Sequence, residues 1–194
     1  MKKKFSTKQR LQRLTTSAVL AALSIVLMFF IRFPIFPAAA FYEMEFADVP
    51  LLICSWLFGP VYALVSLLVV CVIQATTVSS ASSLVGCLMH LLSSGLLIII
   101  VSLFKKKIKS TKGLKSVALR VLSALCGVLG VIAVMIPMNI WQASAFMGMP
   151  AAQFARDFLW ICVAFNAIKA GANVLLYSLL SPQLARAYKA LFKN

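Results

Sequence analysis

Apolar residues dominate six stretches of the chain, and the residues that interrupt them set the elements. Residues 15–31 form an apolar run of about seventeen, enough for a first crossing of a bilayer. Residues 33–60, reading FPIFPAAAFYEMEFADVPLLICSWLFGP, break that pattern. Pro34 and Pro37 fix φ and lack a backbone N–H, which predicts an extended or turned segment over 33–40 and no helix until Asp48. Asp48 is placed to cap that helix, and Pro50 is tolerated in its first turn. Gly59-Pro60 stops or kinks it after about eleven residues, roughly 16 Å at the helical rise and too short to cross a bilayer upright. Residues 61–75 run back, with Gln74 polar near the end, and 76–83 (TTVSSASS) read as a polar turn. Further spans are predicted over 84–104, 117–138 and 158–180. Pro137-Met138-Asn139 ends the second of these, 141–157 reads as a loop of aromatic and small residues, and Ser181-Pro182 ends the last. The count predicts six helical elements in an all-α integral membrane bundle. Gly127 and Gly130 predict a close helix crossing, and Ala18 and Ala22 lie on one face of the first helix, where a small-xxx-small pair lets another helix approach.

Composition narrows the class. The 194 residues are 62% hydrophobic and 12% charged, with mean hydropathy +1.00, well beyond a soluble domain. A formal net charge of +15 raises the question of nucleic acid, but its distribution answers it. Lys2, Lys3, Lys4, Lys8, Arg10 and Arg13 form one basic group, residues 105–120 a second, and Arg186, Lys189 and Lys193 a third. All three flank apolar runs, as the positive-inside rule asks of cytoplasmic segments, so the charge reads as topology and anionic-lipid contact rather than nucleic-acid binding. Both termini are therefore expected in the cytoplasm, and an even number of helical elements agrees. One transmembrane domain over residues 1–194 is expected, with basic tails at 1–14 and 183–194 and a basic linker at 105–116. The five cysteines fall inside apolar runs without CxxC or Cys/His spacing and read as small buried residues. Ala38-Ala39-Ala40 superficially completes a signal-peptide outline, which Arg32 and the two prolines before it disfavour.

Polar chemistry is scarce and clustered. Of 4 Asp and Glu residues, Glu43, Glu45 and Asp48 lie in one stretch and only Asp157 elsewhere. Asn166, Lys169 and Asn173, at i, i+3 and i+7, share one helix face. Lys169 falls near mid-bilayer, where a charge facing lipid costs roughly 3 kcal/mol, so it must point into the bundle. There it either locks helices together against an acid or carbonyl, or lines an open polar pocket; the acids lie in or beside the outer loop, which favours a pocket reaching in from outside. His90 is also intramembrane, and the plainer reading is a neutral imidazole on a backbone carbonyl, with pocket or gating involvement the alternative. With no second His, Cys or acid on its face, metal ligation is not indicated. Residues 112–116 (KGLKS) lack the glycine and Gly-Lys-Ser order of a phosphate loop, and no HExxH occurs, so neither ATP-driven transport by this chain alone nor metallohydrolase chemistry is expected.

The order of two prolines, an aromatic stretch, an acid, Phe46-Ala47-Asp48-Val49-Pro50 and then Phe58-Gly59-Pro60 resembles the substrate-binding S component of energy-coupling factor (ECF) transporters. The likeness extends over nearly the whole chain and is nearest the riboflavin-specific branch. That resemblance implies a bacterial cell-membrane protein without catalytic or metal residues. Riboflavin would be its transported ligand rather than a cofactor, and a transmembrane coupling subunit and two ATPase subunits its partners. It also implies roles for particular residues. The Asn-x-x-Lys of the last helix, here Asn166 and Lys169, and the asparagine at the outer end of the fifth, here Asn139, would hydrogen-bond the polar edge of the isoalloxazine, which alternates donors and acceptors. Phe41, Met44, Phe46 and Trp141 would wall its apolar end, with the short second helix and the first outer loop lining the pocket. Ala18 and Ala22 would dock on the coupling subunit. Glu43 and Glu45 flanking Met44, and Gln74 where an asparagine is common, depart from the branch; acids near the site disfavour a phosphorylated flavin. An S component for another vitamin, or a scaffold whose polar residues only lock helices, stays open as an alternative.

Overall fold

The computed structural model describes residues 6–77 and 83–192. Lys2, Lys3, Lys4, Lys193 and most of the polar turn read at 76–83 lie outside the described residues. Helix α1 (Thr7–Phe30) leads into a small hairpin of β1 (Arg32–Pro34) and β2 (Glu43–Glu45), with a 3-10 turn at Pro37–Ala39 between the strands. There follow α2 (Asp48–Phe58), α3 (Pro60–Thr76), α4 (Ser83–Ser110), α5 (Leu114–Phe146), α6 (Ala151–Asp157) and α7 (Leu159–Leu191). Four of these, α1, α4, α5 and α7, are long and apolar enough to cross a membrane, while α2 and α3 are shorter. Large apolar side chains such as Val19 and Phe30 on α1 and Leu125 and Leu129 on α5 face outward, as a helix in lipid allows.

Several helices run further than their apolar stretches indicated. The described residues form seven α-helices rather than six, the additional one being α6, inside the stretch read as a loop. Its buried Phe154 anchors it in a cluster with Tyr42 and Phe165. Helix α5 continues past Pro137 and α7 past Pro182. A proline removes one i→i−4 bond, and long membrane helices tolerate that where the turns on either side hold. The basic segments read as tails and linker are largely helical extensions of α1, α4 and α7. Helix α1 begins well before its apolar run because Ser6 and Gln9 form a reciprocal capping box at 3.2 Å.

Helix α2 is the axle of the bundle. It is too short to span, but Asp48 through Trp56 are all buried, and its side chains pack against α1, α3, α4 and α7. Gly59 ends it at φ +110°, a conformation that requires glycine, and reverses the chain into α3. Its last carbonyls accept from two lysines of α4: Lys105 Nζ donates to Ser55 O at 2.8 Å and Lys109 Nζ to Trp56 O at 3.1 Å. These cations also suit the negative end of the helix dipole. Arg13 of α1, Arg120 of α5 and Tyr188 of α7 meet the same end, through the rings of Phe58 and Trp56. The start of α1 and the end of α7 therefore lie at this basic end, and the hairpin at the other. The close crossing expected at Gly127 and Gly130 joins α4 and α5: a Cβ on Gly127 would come within 2.8 Å of Leu97 Cδ1.

Candidate binding site

The two short strands pair Arg32 with Glu45, Phe33 with Met44 and Pro34 with Glu43. Side chains alternate along a strand, so Glu43 and Glu45 share one face and Met44 takes the other. Glu43 forms an ion pair with Arg32 at the rim. Glu45 turns inward, where Lys169 Nζ donates to its Oε1 at 2.8 Å. Asn173, fully buried on α7, donates to the Glu45 carbonyl at 3.1 Å and so pins the hairpin to the bundle. Burial pushes the Glu45 carboxyl up, but the Lys169 ammonium, followed by His90, more than offsets this and holds it below the usual carboxylate range.

Below the hairpin lies a cavity of about 190 Å³ between α3, α4, α5 and α7. Asn139, Asn166, Lys169 and Phe41 line it together, although they come from two helices and a loop. Met44, Phe46 and Trp141 do not. Met44 is buried on the opposite strand face, Phe46 packs on the main core, and Trp141 is 45% exposed. Because α5 stays helical to Phe146, Asn139 and Trp141 are about 200° apart around it, and only one of them can face the cavity.

The aromatic wall is instead built from Tyr42 and Phe165. Their rings stack at 4.8 Å with 24° between planes, and Phe41 lies 4.6 Å from Tyr42. The Tyr42 hydroxyl donates to Asn139 Oδ1 at 2.7 Å, and Asn139 Nδ2 donates to Met135 O at 2.7 Å. Burial first, and Cys162 next, hold the Tyr42 phenol well above its ordinary value, so it remains a donor. Asn166 Nδ2 donates to Cys162 O at 2.8 Å. Neither Tyr42 nor Phe165 was singled out from sequence. Tyr42 is the only ring in FYEMEF that also carries a hydrogen-bonding group, and that combination was the available signal.

Lys169 does not stand apart from the acids, as the preference for an open pocket supposed: it lines the cavity and is paired with Glu45. His90 likewise departs from the neutral, carbonyl-bonded imidazole. Its Nδ1 bonds the Gln74 side-chain oxygen, and its Nε2 lies 3.4 Å from Asp48 Oδ1 and 4.0 Å from Glu45 Oε1. Asp48 therefore does not cap α2. Ala47 occupies that position, and the Asp48 carboxylate is turned inward to the imidazole, a charge-assisted partner that a cap cannot match. Among the described residues, no three His, Cys, Asp or Glu side chains are grouped to hold a metal ion.

A multi-pass helical membrane protein with a polar, aromatic-walled pocket under a hairpin lid belongs to the class of membrane binding proteins. Residues 12–181 match the family described as ECF transporter, substrate-specific component, and the chain belongs to that family. Its members bind substrate and work with ECF membrane and ATPase subunits; they are not enzymes. The fold is similar to that of a solved structure titled "Structure and mechanism of the S component of a bacterial ECF transporter", with TM-score 0.76, 24% identity, 93% of this chain and 99% of that chain covered. No curated protein matches the sequence at a significant level.

Proposed function

We propose that this chain is the riboflavin-binding subunit of an ECF-type vitamin uptake transporter in a bacterial cell membrane. Residues 1–194 form one binding domain with both termini in the cytoplasm, and a coupling subunit and two ATPase subunits on other chains drive transport. The observation that carries this reading is the convergence of Asn139, Asn166 and Lys169 on one cavity walled by Phe41, Tyr42 and Phe165. Amides offer a donor and an acceptor each and the ammonium only donors, a set suited to the mixed edge of an isoalloxazine. At about 190 Å³ the cavity is below the roughly 300–1,000 Å³ of drug-sized ligand sites, so a flavin needs added room. Tyr42 marks where that room comes from. Its ring stacks on Phe165 and its hydroxyl holds the Asn139 acceptor, so a planar ligand that displaces it inherits a stacking surface and a hydrogen-bond partner together.

The partner face has its own support. Ala18 and Ala22 are exposed on α1 and border an apolar groove of about 420 Å³ against Val61, Val65 and Val69 of α3, where a helix of the coupling subunit can approach closely. A second reading, another vitamin with a planar polar ring, draws on Gln74, His90 and Ser93, which add polarity to the cavity wall beyond what the flavin edge needs. Purifying the protein in mild detergent and recording its absorption and fluorescence separates the two. A blue-absorbing ligand with quenched flavin fluorescence, restored on denaturation, supports riboflavin. A chain that co-purifies without flavin and leaves added riboflavin fluorescence unchanged overturns it.

A further inference from the structure

We infer that the basic end of the bundle holds a site for one anionic phospholipid, its phosphate bound among Arg13 of α1, Lys105 and Lys109 of α4 and Lys189 of α7, where α2 closes. The attraction of basic tails to an acidic leaflet needs no particular side chain. A site does, and here the side chains converge. Lys105 and Lys109 stand one turn apart on one face of α4 and donate to the Ser55 and Trp56 carbonyls at 2.8 and 3.1 Å. The charged neighbours of Lys105 are Lys109 and Arg13, and that of Lys109 is Lys189. Lys109 and Arg120 also lie over the Trp56 ring, at 4.7 and 4.9 Å from its centre. No Asp or Glu side chain stands among these cations. Glu43, Glu45 and Asp48 belong to the hairpin end, and Asp157 closes α6, whose Phe154 packs with Tyr42 there.

The α2 dipole offsets only about half a charge at this end. Each lysine spends one of its three N–H donors on a carbonyl, so donors and positive charge both remain in surplus. A phosphate accepts several charge-assisted bonds from lysine and arginine at once, and would satisfy that surplus from four helices together. The surroundings suit a lipid better than a free anion. Beside Arg13 opens a groove of about 280 Å³, with Gln9 and Gln12 on its polar side and Phe58, Tyr188 and Phe192 on its apolar side. Tyr62 and Tyr188 both meet the Phe58 ring edge-on, and such aromatic clusters sit at headgroup level in a bilayer. Next to the groove Leu14 of α1 and Val61 of α3 are 58% and 70% exposed, an apolar flank along which acyl chains would run. Basic recesses at the inner ends of spanning helices take anionic headgroups in this way.

The test is native mass spectrometry and thermal melting of the full chain in neutral detergent, with phosphatidylglycerol or phosphatidylcholine added. One phosphatidylglycerol is expected to stay on each chain and to raise the melting temperature by about 5–10 °C at a hundredfold excess over its Kd. Arg13→Gln combined with Lys189→Gln should lose the retained lipid and most of the shift. Lys106→Gln combined with Lys107→Gln removes as much charge from exposed positions of α4 that point away from Lys105, and should leave both unchanged. Lys189 is itself exposed, so Lys189→Gln alone keeps the test usable where the double variant fails to fold, and should weaken retention several-fold. Equal losses in the two double variants, an undisturbed Lys189→Gln, or equal retention of phosphatidylcholine would mean diffuse attraction and overturn the inference. A matching shift from inorganic phosphate, measured against chloride at the same ionic strength and with no lipid retained, gives the site to a soluble anion and overturns the lipid assignment.

Discussion

Replacing Lys169 with Met tests the most consequential contact in the site. The ammonium sits 2.8 Å from Glu45 Oε1, with side chains 17% and 7% exposed. At that distance, with an effective dielectric near 20, the attraction is about 6 kcal/mol. His90, at 4.0 Å, retains about 4 kcal/mol by the same arithmetic, but it is already engaged with the nearer Asp48 and cannot fully replace the lysine. Desolvation of the pair offsets much of the gross figure, and removing one partner of a buried pair costs about 3–5 kcal/mol. For a chain of this length that corresponds to a fall of about 6–20 °C in Tm. Adding Glu45→Met removes the orphaned carboxylate, and the double variant is expected to melt near the original chain or above it. Thermal melts of the ligand-free protein in detergent, read as loss of the monodisperse peak, supply the comparison. A single variant within about 2 °C of the original, or a double variant no better than the single, refutes the reasoning. The rescued double variant also separates a binder from a helix-locking scaffold: a binder keeps its restored fold and still loses riboflavin.

Further outcomes follow from the same geometry. Asn166→Ala and Asn139→Ala should each weaken riboflavin by about 10- to 100-fold in fluorescence titrations, the range expected for losing a buried hydrogen-bond partner. Tyr42→Phe keeps the stack on Phe165 but frees the Asn139 acceptor, and should tighten riboflavin by about 2- to 10-fold in the same assay. Weaker binding would mean that Tyr42 contacts the ligand instead of competing with it. Ala18→Leu combined with Ala22→Leu fills the groove beside α3, and should abolish co-purification with the coupling subunit while riboflavin affinity stays within about twofold.

What could be read along the chain and what could not divide on a physical line. Elements whose signal is local were legible: the two prolines gave an extended segment before Asp48, Gly59-Pro60 gave the reversal, and the 3.6-residue period placed Asn166, Lys169 and Asn173 on one inward face. Helix ends were misplaced where the apolar run stopped before the hydrogen bonding did, as with Ser6 capping α1 ahead of any apolar stretch or α5 running through Pro137. Partnerships between distant residues were invisible in principle. Glu45 and Lys169 are 124 positions apart, Tyr42 and Asn139 97, and no periodicity links them. Trp141, expected as an aromatic wall at the start of the outer loop, lies instead on the continued α5 and faces outward.

These long-range partnerships converge on α2. At its hairpin end Asp48 meets His90 of α4, three residues after Glu45 meets Lys169 of α7; at its basic end the Ser55 and Trp56 carbonyls hold Lys105 and Lys109, also of α4. A buried helix tied to the same neighbour at both ends resists sliding as well as tilting. The six residues between those ties, Val49 through Cys54, are apolar and buried, which leaves little slack. On the flavin reading, room for the ligand comes from the segment before α2. There Glu45 is pinned by Lys169 and Asn173, while the Tyr42 ring stacks on Phe165 and its hydroxyl bonds Asn139. On the flavin reading, α5 and α7 present Asn139, Asn166 and Lys169, and the segment before α2 carries the Tyr42 ring that the ligand would displace.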